Sequence, residues 1–221
     1  NGFIPIGTDT NQDLTGLIAG DYTVTVTDDN GCVMVENYSI IEPSEISVNF
    51  EASSFTNLLC FGDSDGFLDI SVTGGTPNEL GEYTYLWSTL NGFIPIGTDT
   101  NQDLIGLIAG DYTVTVTDNN GCVMVENYSI VQPTEIVLSL ENSSSFTDLL
   151  CYGDSDGVID LDVNGGTPGY SYSWTTINGL IPIGQQFNQD IFNLVAGDYT
   201  VTVTDDNGCE VIETYSIIEP T

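Results

Sequence analysis

The sequence predicts an all-β protein of tandem β-sandwich repeats, and three observations carry that prediction. Residues 1–43 recur at 91–133 with four differences (Thr15/Ile105, Asp29/Asn119, Ile41/Val131 and Glu42/Gln132), which sets an internal repeat of 90 residues. One stretch occurs three times, at Leu17–Cys32, Leu107–Cys122 and Leu194–Cys209. In each copy Tyr, Val and Val alternate with threonines, a period of two that places them on one face of a half-buried strand. Finally, short alternating runs are separated by Gly, Pro, Asn and Asp clusters, and none of them has helical spacing.

Boundaries after Pro43 and Pro133, in the short linkers Ile-Glu-Pro-Ser and Val-Gln-Pro-Thr, divide the chain into a half repeat, 1–43, and two full repeats, 44–133 and 134–221. Such short linkers predict repeats held nearly end to end. Within a full repeat, Ile46, Val48 and Phe50 form the first alternating run, and Leu68, Ile70 and Val72 the second. The third copy keeps the second run as Ile159, Leu161 and Val163. Gly74-Gly75-Thr76-Pro77 then breaks the chain, before a strand carrying Tyr83, Tyr85 and Trp87, or Tyr170, Tyr172 and Trp174 in the next copy.

Asn91-Gly92-Phe93-Ile94-Pro95-Ile96-Gly97 reads as an edge strand, because Pro95 cannot donate to a ladder. Leu107-Ile108-Ala109-Gly110-Asp111-Tyr112 resembles a tyrosine corner, in which a Tyr at the start of a late strand bonds back to the chain. Asp118-Asn119-Asn120-Gly121 supplies a hairpin turn, and Val123, Val125, Tyr128 and Ile130 mark the returning strand. About seven such strands per repeat argue for immunoglobulin-like sandwiches stacked end to end.

Composition narrows the chemistry. The chain has 33 acidic residues and no Lys, Arg or His, for a formal charge of −33. No internal salt bridge can form, and nothing can neutralise a nucleic-acid phosphate or an anionic lipid surface. The absence of His and Lys excludes His-based triads and Schiff-base chemistry, while a carboxylate pair remains possible in principle. No run of 18 apolar residues is present to span a membrane, and no signal peptide is visible. Because the first residues copy Asn91 onward, the chain is expected to be a window cut from something longer.

Several motifs together resemble SprB-type repeats of the very large surface adhesins of gliding Bacteroidota. They are Cys60-Phe61-Gly62-Asp63-Ser64-Asp65-Gly66, Val72–Pro77, Tyr83–Trp87 and Leu107–Cys122, with Gly165–Trp174 in the following copy. The resemblance spans the chain, although Asn78–Glu82 lengthens one turn. It implies export by the type IX route, display on the outer surface, and a part in adhesion or gliding. The expected partners are neighbouring repeats of the same chain, with any cell-surface or carbohydrate ligand elsewhere in the parent.

Four candidate sites follow. Asp63 and Asp65, repeated as Asp154 and Asp156, form Asp-x-Asp-Gly turns that group hard oxygens as calcium loops do. They are not EF-hands, since position twelve counted from Asp63 is Gly74; the competing reading is an acidic turn before a strand. The Asp28-Asp29-Asn30 turn and its copies at Asp118 and Asp205-Asp206-Asn207 read first as hairpin turns. The Tyr85/Trp87 and Tyr172/Trp174 face is either core or a sugar-stacking platform, with core expected.

The five cysteines, at 32, 60, 122, 151 and 209, are expected in disulfides on an exported protein rather than in a metal site. The pairing expected is Cys60–Cys122 and Cys151–Cys209 within repeats, leaving Cys32 to a partner upstream. A competing pairing joins Cys60 to Cys209 across a junction, because the first turn and last hairpin of a sandwich lie at opposite poles. The functional expectation is a structural stalk rather than an enzyme. A carbohydrate- or surface-binding module acting through loops or aromatics is the alternative.

Overall fold

The computed structural model describes residues 10–140 and 146–221, and side chains outside 51–56 and 146–147. The start of the half repeat, residues 1–9, lies outside the described residues. Among the described residues the chain is all-β, with no helix. Its strands are β1 (Gly20–Thr27), β2 (Val33–Ile40), β3 (Ser47–Thr56), β4 (Gly66–Thr73), β5 (Thr84–Thr89), β6 (Leu104–Leu107), β7 (Gly110–Thr117) and β8 (Val123–Ile130). They continue as β9 (Val137–Leu140), β10 (Phe146–Thr147), β11 (Gly157–Ile159), β12 (Leu161–Asn164), β13 (Ser171–Thr176), β14 (Ile191–Leu194), β15 (Gly197–Thr204) and β16 (Glu210–Ile217). Two compact units result: Asn1–Val48 with Val72–Tyr83 and Thr117–Met124, and Asn49–Ser71 with Thr84–Val116 and Val125–Thr221.

In the first unit β1 and β2 pair as an antiparallel hairpin, from Gly20 opposite Ile40 to Thr27 opposite Val33. The sequence of β1, Gly-Asp-Tyr-Thr-Val-Thr-Val-Thr, is identical to that of β7. Yet Val24 and Val26 are 42 % and 57 % exposed, whereas Val114 and Val116 are fully buried. Propensity and alternation are equal in the two strands, so coverage by a facing sheet decides burial.

The second unit contains the third repeat whole. β13, β15 and β16 form one sheet, while β10-β11-β14 and the β9/β12 pair form the other face. Leu149, Ile159, Leu161, Trp174, Ile191, Leu194, Tyr199, Val201, Val203 and Ile217 fill the space between. Trp174 lies 3 % exposed, its indole Nε1 donates to the Asn188 carbonyl at 2.9 Å, and its ring stands 6.3 Å from that of Tyr215. The second repeat has the sheets β3-β4-β6 and β5-β7-β8, with Trp87 equally buried and bonded to the Asn101 carbonyl. The division into first, second and fifth strands against third, sixth and seventh is that of an immunoglobulin-like sandwich with one strand missing.

That missing strand corrects an expectation. Residues 91–97 form no strand, so the second repeat has six, β3 to β8. The backbone of this segment bonds to the tyrosine corner instead of a ladder. Tyr112 Oη donates to the Ile108 carbonyl at 2.8 Å and accepts the Phe93 N–H at 3.2 Å, while Asn91 Oδ1 accepts the Asp111 N–H at 2.8 Å. A Cβ on Gly92 would sit 2.6 Å from the Tyr112 hydroxyl, so only glycine lets the segment lie over that ring. The same clamp recurs at Asn178, Gly179 and Leu180 over Tyr199.

The returning strand expected after Cys122 is β8, which alternates in burial along its length. Met124, Glu126, Tyr128 and Ile130 occupy its more buried side, and Val123 and Val125 are 57 % and 50 % exposed.

Trp174→Ala is expected to lower unfolding free energy by about 3–5 kcal/mol. Ile177→Ala, at a fully exposed position, is expected to stay within about 0.5 kcal/mol. Denaturant midpoints measure both, and equal midpoints would remove Trp174 from the core.

Candidate functional site

The hairpin end of each repeat holds the Asp28, Asp118 and Asp205 turns and Cys32, Cys122 and Cys209. In the third repeat β15 turns into β16 at Asp205-Asp206-Asn207-Gly208. Asp205 Oδ1 accepts the N–H groups of Asn207 and Cys209, each at 2.9 Å. Its Oδ2 accepts the Thr167 N–H at 2.8 Å, and the Asp206 N–H donates to the Thr167 carbonyl at 3.2 Å. One carboxylate thus ties the last hairpin to the Gly165-Gly166-Thr167-Pro168 loop.

In the first unit Asp118 repeats the arrangement, accepting from Asn120 at 2.9 Å, Cys122 at 2.8 Å and Thr76 at 2.8 Å. Asp28 caps its own hairpin through Asn30 and Cys32. The Thr76 N–H, more than any other group, holds the Asp118 carboxyl below its ordinary range. For Asp205 burial pushes upward, but the N–H donors of Thr167, Cys209 and Asn207 outweigh it and the net direction is down. All three Asp-Asn turns are hairpin caps, and those of Asp118 and Asp205 also fasten a neighbouring loop. The hairpin is legible in the sequence, whereas the fastening is not, because its donors Thr76 and Thr167 lie far from the turn in sequence.

The cysteines depart from the expected pairing. Cys60 is bonded to Cys209, with Cα atoms 5.5 Å apart, and Cys32, Cys122 and Cys151 carry exposed free thiols. The pairs Cys60–Cys122 and Cys151–Cys209 are not formed. In the third repeat the Leu149 N–H bonds to the Ile218 carbonyl, which puts the Cys151 turn beside the far end of β16. Cys209 immediately precedes the near end of β16, eight residues away along the strand, a distance of about 26 Å at 3.3 Å per residue. A disulfide requires Cα atoms within about 7 Å. The Cys60 turn instead meets the third repeat's hairpin, where Asn207 Nδ2 donates to the Leu59 carbonyl at 3.0 Å. The closed loop spans 149 residues, worth about 5 kcal/mol on the chain-entropy relation.

The acidic turns lie directly after the first-turn cysteines. Asp63 and Asp154 are half-buried, and Asp65 and Asp156 are exposed. Among the described residues no group of three or more His, Cys, Asp or Glu side chains is placed to hold a metal ion. The Asp154 carboxylate, through charge and a hydrogen bond, is the main cause pushing the Cys151 thiol up, with burial and Asp156 adding to it. The aromatic face is turned inward: Trp87 and Trp174 are buried, and Tyr85 and Tyr172 are half-buried and bonded to Gln102 and Gln189.

Residues 52–92 and 143–179 match the SprB repeat, in agreement with the resemblance read from the motifs. No curated protein matches the chain. Among solved structures, Drosophila OTK extracellular domains 3–5 align at 12 % identity over 92 % of this chain and 72 % of that one, with a TM-score of 0.36. The N-terminal eight Ig domains of Down Syndrome Cell Adhesion Molecule isoform 1.30.30 align at 12 % identity over 92 % of this chain and 28 % of that one, with a TM-score of 0.43. The C-terminal 282-residue fragment of intimin, solved with the intimin-binding domain of its translocated receptor, aligns at 14 % identity over 82 % and 65 %, with a TM-score of 0.36.

Acid should act on the hairpin caps with a definite sign. The folded-state pKa of Asp205 is depressed, so its contribution is complete above the ordinary carboxylate range and is lost as pH falls through the depressed value. Asp205→Asn is expected to lower the melting temperature at neutral pH and to flatten its fall on acidification. A variant whose acid limb parallels the parent's would show that the cap carries no such linkage.

Proposed function

We propose that the chain is a structural segment of a cell-surface adhesin, in which repeats 1–43, 44–133 and 134–221 act as successive modules of a stalk that extends a binding region from the cell. The observation that carries this reading is the Cys60–Cys209 bond, which fastens the second repeat to the third covalently rather than closing either on itself. The SprB repeat match and the immunoglobulin-like sandwiches support an adhesin-type repeat segment displayed outside the cell, where a disulfide persists. Among the described residues no helix is long and apolar enough to cross a membrane. Type IX export and a part in gliding or adhesion follow from the same resemblance. The chain is read as non-catalytic, and the inward-turned tryptophans favour a stalk over a sugar-stacking module.

The test is length. Small-angle scattering on chains carrying additional copies of residues 134–221 is expected to show the maximum dimension growing by about 30–45 Å per copy, the span of one sandwich. Growth only as the cube root of mass would mean that the modules fold back on one another, and the stalk would fall.

We also propose weak calcium binding at Asp63/Asp65 and Asp154/Asp156. Each turn offers only two carboxylates, which places affinity in the range of about 10⁻⁴–10⁻³ M seen for extracellular modules. Melting temperature is expected to rise with millimolar calcium beyond ionic-strength-matched sodium chloride. Asp65→Asn with Asp156→Asn should remove most of that difference. Superimposable melts in the two salts would leave these turns without a ligand.

A further inference from the structure

The structure shows one disulfide and three free thiols, and the internal repeat relates all of them. Cys60 and Cys151 are equivalent first-turn residues; Cys32, Cys122 and Cys209 are equivalent hairpin residues. We propose that the Cys60–Cys209 bond is one rung of a ladder in which the first-turn cysteine of each repeat joins the hairpin cysteine of the next. Cys151 and Cys122 are then half-rungs, each taking a further copy of the same repeat as its partner. The inference deepens the stalk reading and rests on it for the order of modules.

The local geometry of the two first turns is the same. Leu58 N–H bonds to the Val131 carbonyl and Gly62 N–H to Gln132 Oε1; Leu149 N–H bonds to the Ile218 carbonyl and Gly153 N–H to Glu219 Oε2. Asp63 and Asp154 N–H groups each turn back to the carbonyl of the cysteine three residues earlier. Around Cys151, Leu150 and Tyr152 are 81 % and 77 % exposed, whereas their counterparts Leu59 and Phe61, at the formed rung, are 54 % and 49 % exposed.

The hairpin side matches as well. Asp118 holds the Cys122 N–H as Asp205 holds that of Cys209, at 2.8 and 2.9 Å. The groove beside Cys209 has Pro133, Glu135, Ile136, Gly166 and Asp205 in its walls and receives Cys60 and Phe61. The groove beside Cys122 has the equivalent Pro43, Glu45, Ile46, Gly75 and Asp118, and among the described residues no first-turn residue lines it. A socket of the same construction therefore faces solvent at Cys122, and a plug of the same construction does so at Cys151.

Closing a rung removes two protons and two electrons. A low-molecular-weight disulfide such as glutathione disulfide accepts them in two exchanges. One cysteine thiolate attacks the reagent's S–S bond and releases one thiol. The second cysteine thiolate then attacks the mixed disulfide, forms the Cys–Cys bond and releases the other thiol.

The test appends one further copy of residues 134–221 to the full chain, oxidises it with glutathione disulfide, and maps joined peptides after non-reducing digestion. The expected result retains Cys60–Cys209 and adds a link from Cys151 to the appended counterpart of Cys209. Three thiols then still titrate: Cys32, Cys122 and the appended first-turn cysteine. Cys151→Ser in the same chain should abolish only the new link. Five free thiols, a link closed inside the appended copy, or a bond from Cys151 to Cys122 would each overturn the ladder. Scattering on the same sample separates the two ideas: a particle that lengthens without the new link keeps the stalk and rejects the ladder, and one that does not lengthen rejects the stalk.

Discussion

Every negative charge in this protein has to be satisfied without a cation from the chain itself. With 33 carboxylates and no Lys, Arg or His, the internal partners are neutral groups: backbone N–H groups, hydroxyls, amides and thiols. The structure uses them repeatedly. Asp103 and Asp190 accept the N–H groups of Ile70 and Leu161, and Asp111 and Asp198 accept the hydroxyls of Ser129 and Ser216. Asp118 and Asp205 go furthest, each collecting three backbone N–H groups from two loops. Hydrogen bonds to charged acceptors are stronger than neutral ones, so acidity becomes a means of fastening loops. The cost appears where a phenol is buried near an acid: burial, then the charge of Glu126, pushes Tyr128 up to about 12.

A second set of contacts fixes the sheets. In all three copies a tyrosine hydroxyl reaches the carbonyl four residues back, at 2.6 to 2.8 Å, and in both full repeats a segment beginning Asn-Gly folds over that ring. Trp87 and Trp174 bond to carbonyls fourteen residues on, in the same connection between the third and fifth strands. Long irregular connections are thereby held by side-chain anchors rather than by a ladder. This is how an immunoglobulin-like sandwich keeps its shape with one strand fewer.

The fold was legible because its signals are local and repeated three times. Alternation identified β4, β7, β13 and β15, and the Gly-Asp-Tyr start identified the corner. The segment 91–97 misled because β-branching and proline fit an edge strand as well as a clamp; the difference lies in Gly92, whose missing Cβ matters only once Tyr112 is placed above it. β8 was legible as a strand, although Val123 and Val125 are apolar on the solvent side. The disulfide was half legible. The argument from opposite poles already contained the observed bond, but pairing within a repeat was preferred on count alone, and count says nothing about distance. The role of Asp118 and Asp205 was invisible because their third donors, Thr76 and Thr167, lie 42 and 38 residues away.

Charge also explains why a covalent bond suits the contact between the second and third repeats. A module boundary in an ordinary protein can be held by ion pairs across it. Here both sides carry only negative charge, and repulsion is screened over about 8 Å at physiological salt and further in dilute media. The contacts here include the Asn207 amide donating to the Leu59 carbonyl and Phe61 in the groove walled by Pro133 and Ile136, and no ion pair can be among them. A boundary of that kind, without a bond, would loosen as ionic strength falls. The Cys60–Cys209 bond does not depend on salt. Its two ends are the turns that Asp205 and the β8 terminus already hold in place, which lowers the ordering cost of joining them. Acidity keeps chains apart from one another, and the disulfide keeps it from parting these two repeats.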